Sequence, residues 1–195
     1  MMRVDAASVV KQQLEDLSHT AVRSAAALAE PAGQYARLVI ETFESGGRLL
    51  FCGNGGSAAT IEHIATEYVV RLKREREPLP AIALTAGSAQ LTAAANDFGY
   101  ESVFVRALQA FGQPGDLLVL HSTSGEAANL LAAAAAAASL GIATVALLGE
   151  TGGGLAPLVD LPIRVPSTDT TRIQEIQLAI EHSVADIVDS HFAFD

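Results

Sequence analysis

The chain carries two hydrophobic rhythms, and they change at residue 46. Over residues 5–30, Val9, Val10, Leu14 and Leu17 recur at a helical period, which predicts a helix. Pro31 has no amide hydrogen to donate and is expected to break it. Leu38, Val39, Ile40 and Phe43 then define a second helix over 32–45, ended by Gly46-Gly47. Beyond that point short apolar runs alternate with helical stretches. The runs are Leu49–Cys52, Ala81–Leu84, Leu117–Leu120, Ile142–Leu147 and Leu161–Val165. Between and after them, helices are predicted over about 57–72, 89–95, 101–111, 126–140 and 170–191. Continuous apolar runs separated by helices are the mark of parallel strands buried on both faces. The pattern therefore predicts an open α/β sheet of five strands.

Two strand-to-helix junctions stand out. Leu49–Cys52 runs into Gly53-Asn54-Gly55-Gly56-Ser57-Ala58, and Leu117–Leu120 runs into His121-Ser122-Thr123-Ser124-Gly125. A helix N-terminus offers unpaired N–H groups and the positive end of the helix dipole, so it favours an anion. In open α/β sheets ligands bind outside the carboxyl ends of the strands, where both junctions fall. Two hydroxyl-bearing junctions of this kind point to one phosphate held between Ser57 and Ser122, Thr123 and Ser124. The first junction is not a dinucleotide fingerprint: Ala58 stands at the third glycine, and no acidic residue ends the second strand at Leu84.

The formal net charge of −10 argues against a nucleic-acid or anionic-membrane partner. A single cysteine, Cys52, excludes an internal disulfide and fits a reducing cytoplasm. No signal peptide and no membrane span are expected from the pattern.

His63 and Glu67 are four apart on one predicted helix and share a face. The spacing suits a metal-ligand pair, an acid/base pair or a surface ion pair alike. Gln174 and His182, eight apart, also share a face of the last helix. Arg71, Lys73, Arg74 and Arg76 form the only basic cluster. His19, His121 and His191 have no evident partner.

Taken in order, these motifs are more specific than their parts. They join Asn96-Asp97-Phe98-Gly99-Tyr100, Pro114-Gly115-Asp116, Val165–Thr170 and Arg172-Ile173-Gln174-Glu175. Over about residues 35–190 the chain resembles the phosphoheptose isomerase family of the sugar-isomerase (SIS) fold. The resemblance implies a three-layer αβα, flavodoxin-like sheet with an N-terminal helical extension. It divides the chain into helices over 1–45, used for oligomerisation or as an active-site cover, and an SIS domain over 46–195. It further implies a cytoplasmic homotetramer with sites shared between subunits. The substrate would be a phosphorylated seven-carbon sugar, sedoheptulose 7-phosphate, converted to D-glycero-D-manno-heptose 7-phosphate. The family's positions place one zinc per subunit on His63, Glu67, Gln174 and His182, with Glu67 and His182 as catalytic acid/base candidates. Asn54, Gly55, Ser57, Arg71, Asn96, Asp97, Ser122, Thr123, Ser124, Asp169 and Gln174 match positions that hold substrate or phosphate. Three positions depart from the family's usual pattern: Glu126, Ala127 and Gly87. Glu126 brings a negative charge beside the expected phosphate, a repulsion on the order of 1 kcal/mol. Alternatives are a non-catalytic SIS module similar to the DnaA initiator-associating protein, or an isomerase for another phosphosugar.

Overall fold

The computed structural model describes residues 5–194. Residues 1–4 and 195, the ends of the two expected segments, lie outside the described residues. Five strands form one parallel sheet: β1 (Leu49–Gly53), β2 (Ala81–Ala83), β3 (Leu117–His121), β4 (Ala143–Leu148) and β5 (Leu161–Arg164). Their order is β2-β1-β3-β4-β5. The register pairs Leu49 with Leu117 and Gly53 with His121, so both hydroxyl-bearing junctions leave the sheet side by side. The strand order reverses between β1 and β3, which is where a doubly wound sheet opens a crevice for ligands.

The alternation of side chains along each strand sorts the core into two layers. Leu49, Phe51, Leu117, Val119, Val145 and Leu147 pack with α1 (Ala6–Glu44), α2 (Gly56–Val69) and α6 (Thr170–Phe192). Leu50, Cys52, Leu118, Leu120, Ala146 and Leu148 pack with α3 (Ser88–Phe98), α4 (Val103–Phe111) and α5 (Ala128–Leu140). Cys52 is buried, which pushes its thiol far above the usual range.

The expected break at Pro31 does not occur: α1 runs unbroken from Ala6 to Glu44. Buried residues lie on both sides of the proline, Leu28 before it and Tyr35, Ala36 and Val39 after it. That stripe packs on the face that α6 also lines, and this burial offsets the one hydrogen bond the proline removes. The α2 and α5 boundaries also differ from expectation, with α2 ending at Val69 rather than 72 and α5 starting at Ala128 rather than 126. Among the described residues no helix is long and apolar enough to cross a membrane.

Candidate active site

The turn after β1 needs its glycines. Gly55 has φ +56°, a left-handed conformation that glycine adopts without strain. A Cβ on Gly56 would lie 2.7 Å from Nε2 of Gln174, so this position must stay bare for α6 to approach. Ser57 is buried in the first turn of α2. Asn54 is fixed across the crevice: its amide and that of Asn129 exchange hydrogen bonds, both 2.9 Å. The Tyr100 hydroxyl also donates to Asn54 Oδ1, at 2.9 Å. These three residues line a cleft of about 520 Å³ together with Gly99, Glu101, Ala127 and Ala128. That size suits a small-molecule ligand. A larger groove of about 680 Å³ is lined by α1 alone and holds none of the expected site residues.

In the second turn the Ser122 hydroxyl accepts from Gly125 N–H at 2.9 Å, and the Ser124 hydroxyl accepts from Glu126 N–H at 3.2 Å. Both hydroxyls thus shape the turn while their protons remain free to donate. Thr123 is half-buried between them. Glu126 is exposed, and its carboxylate accepts from Gly154 N–H at 2.9 Å. This bond ties the Glu126 carboxylate to the loop after β4.

Three of the four expected metal positions come together. His63 Nε2 lies 3.1 Å from His182 Nε2 and 3.5 Å from a carboxylate oxygen of Glu67. One ligand atom from each residue falls within 4.8 Å of the others. Two imidazole nitrogens and a carboxylate oxygen are a donor set found in catalytic zinc sites, which keep a further position open. At 3.1 Å the two ring nitrogens can hydrogen-bond to each other or face a common cation, according to their tautomers. The cluster can therefore hold a divalent metal. The Gln174 side chain packs over Gly56, its Nε2 2.7 Å from where a Cβ on that glycine would lie.

The remaining expected residues are placed as follows. Asp169 caps α6, accepting from Thr171 N–H at 2.8 Å and Arg172 N–H at 3.4 Å. The Thr171 hydroxyl and amide hold its carboxyl below the usual range. Asn96 donates to Asp97 at 2.8 Å, both exposed at the end of α3. Arg71 is exposed and pairs with Glu75. Two histidines without an evident partner in the sequence have one in the fold. His191 pairs with Glu44 at 2.8 Å. His121 is fully buried and pairs with the equally buried Glu181 at 2.7 Å. The Tyr35 hydroxyl donates to the same carboxylate at 3.1 Å, and burial followed by that negative charge pushes its phenol well above the usual range. Asn129, Tyr100 and Glu181 were not singled out by sequence reasoning. Tyr100 ends the Asn96–Tyr100 motif, and Asn129 sits in the first turn of the helix after the hydroxyl-rich junction; only those two carried a sequence signal.

The fold is a parallel sheet with hydroxyl-rich turns at its switch point, and the SIS domain model matches residues 12–149. A phosphoheptose isomerase of Roseiflexus sp. (strain RS-1) is 53% identical over 154 residues, covering 79% of this chain and 78% of its own. One of Helicobacter pylori (strain P12) is 44% identical and covers 93% of this chain and 95% of its own. The solved phosphoheptose isomerase of Francisella tularensis superposes with a TM-score of 0.93 at 33% identity, covering 96% of this chain and 100% of that one. Phosphoheptose isomerase GmhA from Neisseria gonorrhoeae gives 0.89 at 36% identity, covering 94% and 98%. The chain belongs to the phosphoheptose isomerase family.

Proposed function

We propose that this protein interconverts sedoheptulose 7-phosphate and D-glycero-D-manno-heptose 7-phosphate. The observation that carries the reading is the His63–Glu67–His182 cluster on a fold shared with phosphoheptose isomerases. The substrate carries its phosphate and its carbonyl at opposite ends. The protein separates the matching groups in the same way: His63 lies seven residues down α2 from Gly56, about 10 Å from the phosphate turn. Ser57, Ser122, Thr123 and Ser124 would hold the phosphate. Asn54, Gly55, Arg71, Asn96, Asp97 and Asp169 would contact the sugar or position those that do.

The reaction is a proton shuffle between adjacent carbons. A base removes the proton from the carbon next to the carbonyl, and the resulting cis-enediol(ate) is reprotonated on the other carbon. Glu67, half-buried and within reach of His63, is assigned as the base. His182 moves the hydroxyl proton. Zinc, held by His63, Glu67 and His182 with Gln174 as a fourth ligand, would polarise the carbonyl. Glu67 would then serve as a ligand, with proton removal falling to another group; comparing activity with and without zinc separates the two roles. The working unit is a cytoplasmic homotetramer with shared sites. Exposed Val9, Val10, Leu14 and Val22 on α1 support assembly, and the unpaired Cys52 supports a reducing compartment.

The test is turnover of sedoheptulose 7-phosphate by purified protein, stripped of metal and then supplied with zinc, with aldose formation as readout. Aldose formation is the expected result. No turnover by a folded protein would move the reading to another phosphosugar or to a binding module.

A further inference from the structure

The donor cluster is split between two helices, so its geometry depends on how α2 and α6 are held together. The two run parallel. Gly56 meets Gln174, His63 meets His182, and past the end of α2 the segment 73–76 meets Asp186 and Asp189. At this last level sits an ion pair buried on both sides. Arg76 Nε donates to Asp189 Oδ1 at 2.7 Å, with side chains 1% and 0% exposed. The same guanidinium donates to the carbonyl of Glu67 at 2.6 Å and to that of Tyr68 at 2.8 Å. The other oxygen of Asp189 accepts the amides of Lys73 and Arg74, both at 2.7 Å. A helix C-terminus leaves carbonyls unpaired and favours a cation, and Arg76 supplies both needs of α2 while gripping α6. One of the two α2 residues whose backbone it holds is Glu67 itself.

We propose that Arg76 and Asp189 are positioning residues of the metal site. Their ion pair locks the C-terminal end of α2 to α6 and so sets the spacing of Glu67 and His63 against His182. Neither residue touches the donor atoms. The inference rests on the metal-site reading given above. Groups that orient metal ligands without binding the metal commonly change affinity by about 10–100-fold when replaced.

The experiment measures Zn²⁺ affinity of the metal-stripped full chain by competition with a chromogenic chelator, well below each variant's unfolding temperature. Arg76→Lys keeps the charge but loses the planar fork that spans Asp189 and two carbonyls. Asp189→Asn keeps size and an acceptor but loses the charge. The parent should bind one zinc per chain. Each folded variant should bind it at least about tenfold more weakly. Its kcat should fall with KM for sedoheptulose 7-phosphate little changed. Parental zinc affinity in either folded variant, even one with a lowered unfolding temperature, would reduce the pair to a structural role and overturn the proposal. Failure of both variants to fold would do the same. A parent that binds no zinc would instead overturn the metal-site reading itself, and this inference with it.

Discussion

The two helical layers of this molecule are built from different chemistry. The layer of α3, α4 and α5 packs on the sheet with aliphatic side chains and one large aromatic, Phe104; the alanines of α5 let it lie close. The layer of α1, α2 and α6 contains the donor cluster, the His121–Glu181 pair with Tyr35, and the Arg76–Asp189 pair. Burying charge is costly unless each partner is satisfied. The pairs buried on both partners, Arg76–Asp189 and His121–Glu181, lie in this layer, beside the groups assigned to chemistry, whereas the buried Asp116 near the end of α4 pairs with an Arg48 that stays partly exposed. The comparison separates a layer that supplies stability from one that trades part of it for a defined arrangement of polar groups.

The largest effect should come from Glu67→Gln. Removing a proton-transfer group typically lowers the rate by about 10²–10⁴-fold. Turnover should fall by that order, while the thermal unfolding midpoint stays near the parent's because Glu67 is only half-buried. Parental activity would remove Glu67 from the mechanism. Glu181→Ala comes next. It strands a buried imidazole and the Tyr35 hydroxyl, and breaking such a pair costs about 3–5 kcal/mol. Urea unfolding should show that loss. Replacing both His121 and Glu181 with leucine should recover much of it, since an apolar pair needs no compensation.

The difference between the layers also explains what the sequence disclosed. The strands were legible because each is a mainly apolar run, and the two hydroxyl-bearing junctions were legible because glycine and serine follow such runs within two residues. Local rules failed where distant packing decided the outcome. Pro31 obeys the rule for an isolated helix, yet α1 continues because residues on both sides of it are buried in one core. The eight-residue spacing puts Gln174 and His182 on one face of α6, but that this face lies against α2, with the Gln174 amide over Gly56, is decided by the fold. Glu181 and His121 are 60 residues apart and meet only because α6 lies across the end of β3. No periodicity announces such a pair. Arg76 was legible as charge and not as a buried clamp, because its partner is 113 residues away.

A third prediction probes the aliphatic layer. Leu108 on α4 is fully buried. Leu108→Ala should lower stability by about 3 kcal/mol, the usual scale for a large-to-small core change. Zinc affinity and kcat of the folded fraction should not move. A loss of zinc affinity in that variant would mean that the layers are coupled and would blunt the comparison.

The smallest effect is a matter of pH. Asp169, Asp186 and Asp189 all belong to α6 or its cap, and all three are held below the usual carboxylate range. For Asp186 the causes are the Lys73 and Arg74 side chains. For Asp189 burial opposes the charged form, and the Arg74 and Lys73 amides with the Arg76 guanidinium outweigh it. A carboxyl with a depressed folded value binds its proton more readily when unfolded. Its contribution is therefore complete above the unfolded value of about 3.9 and is lost as pH falls through the folded value. Urea midpoints should be insensitive to these groups above about pH 5 and should drop below about pH 4. Asp189→Asn should start less stable and show a shallower drop, since one of the three linked protons is gone. Leu108→Ala should also start less stable but keep the parent's full acid slope. Equal slopes in both variants would show that acid sensitivity does not reside at Asp189, and the polar layer would lose one of the features that set it apart.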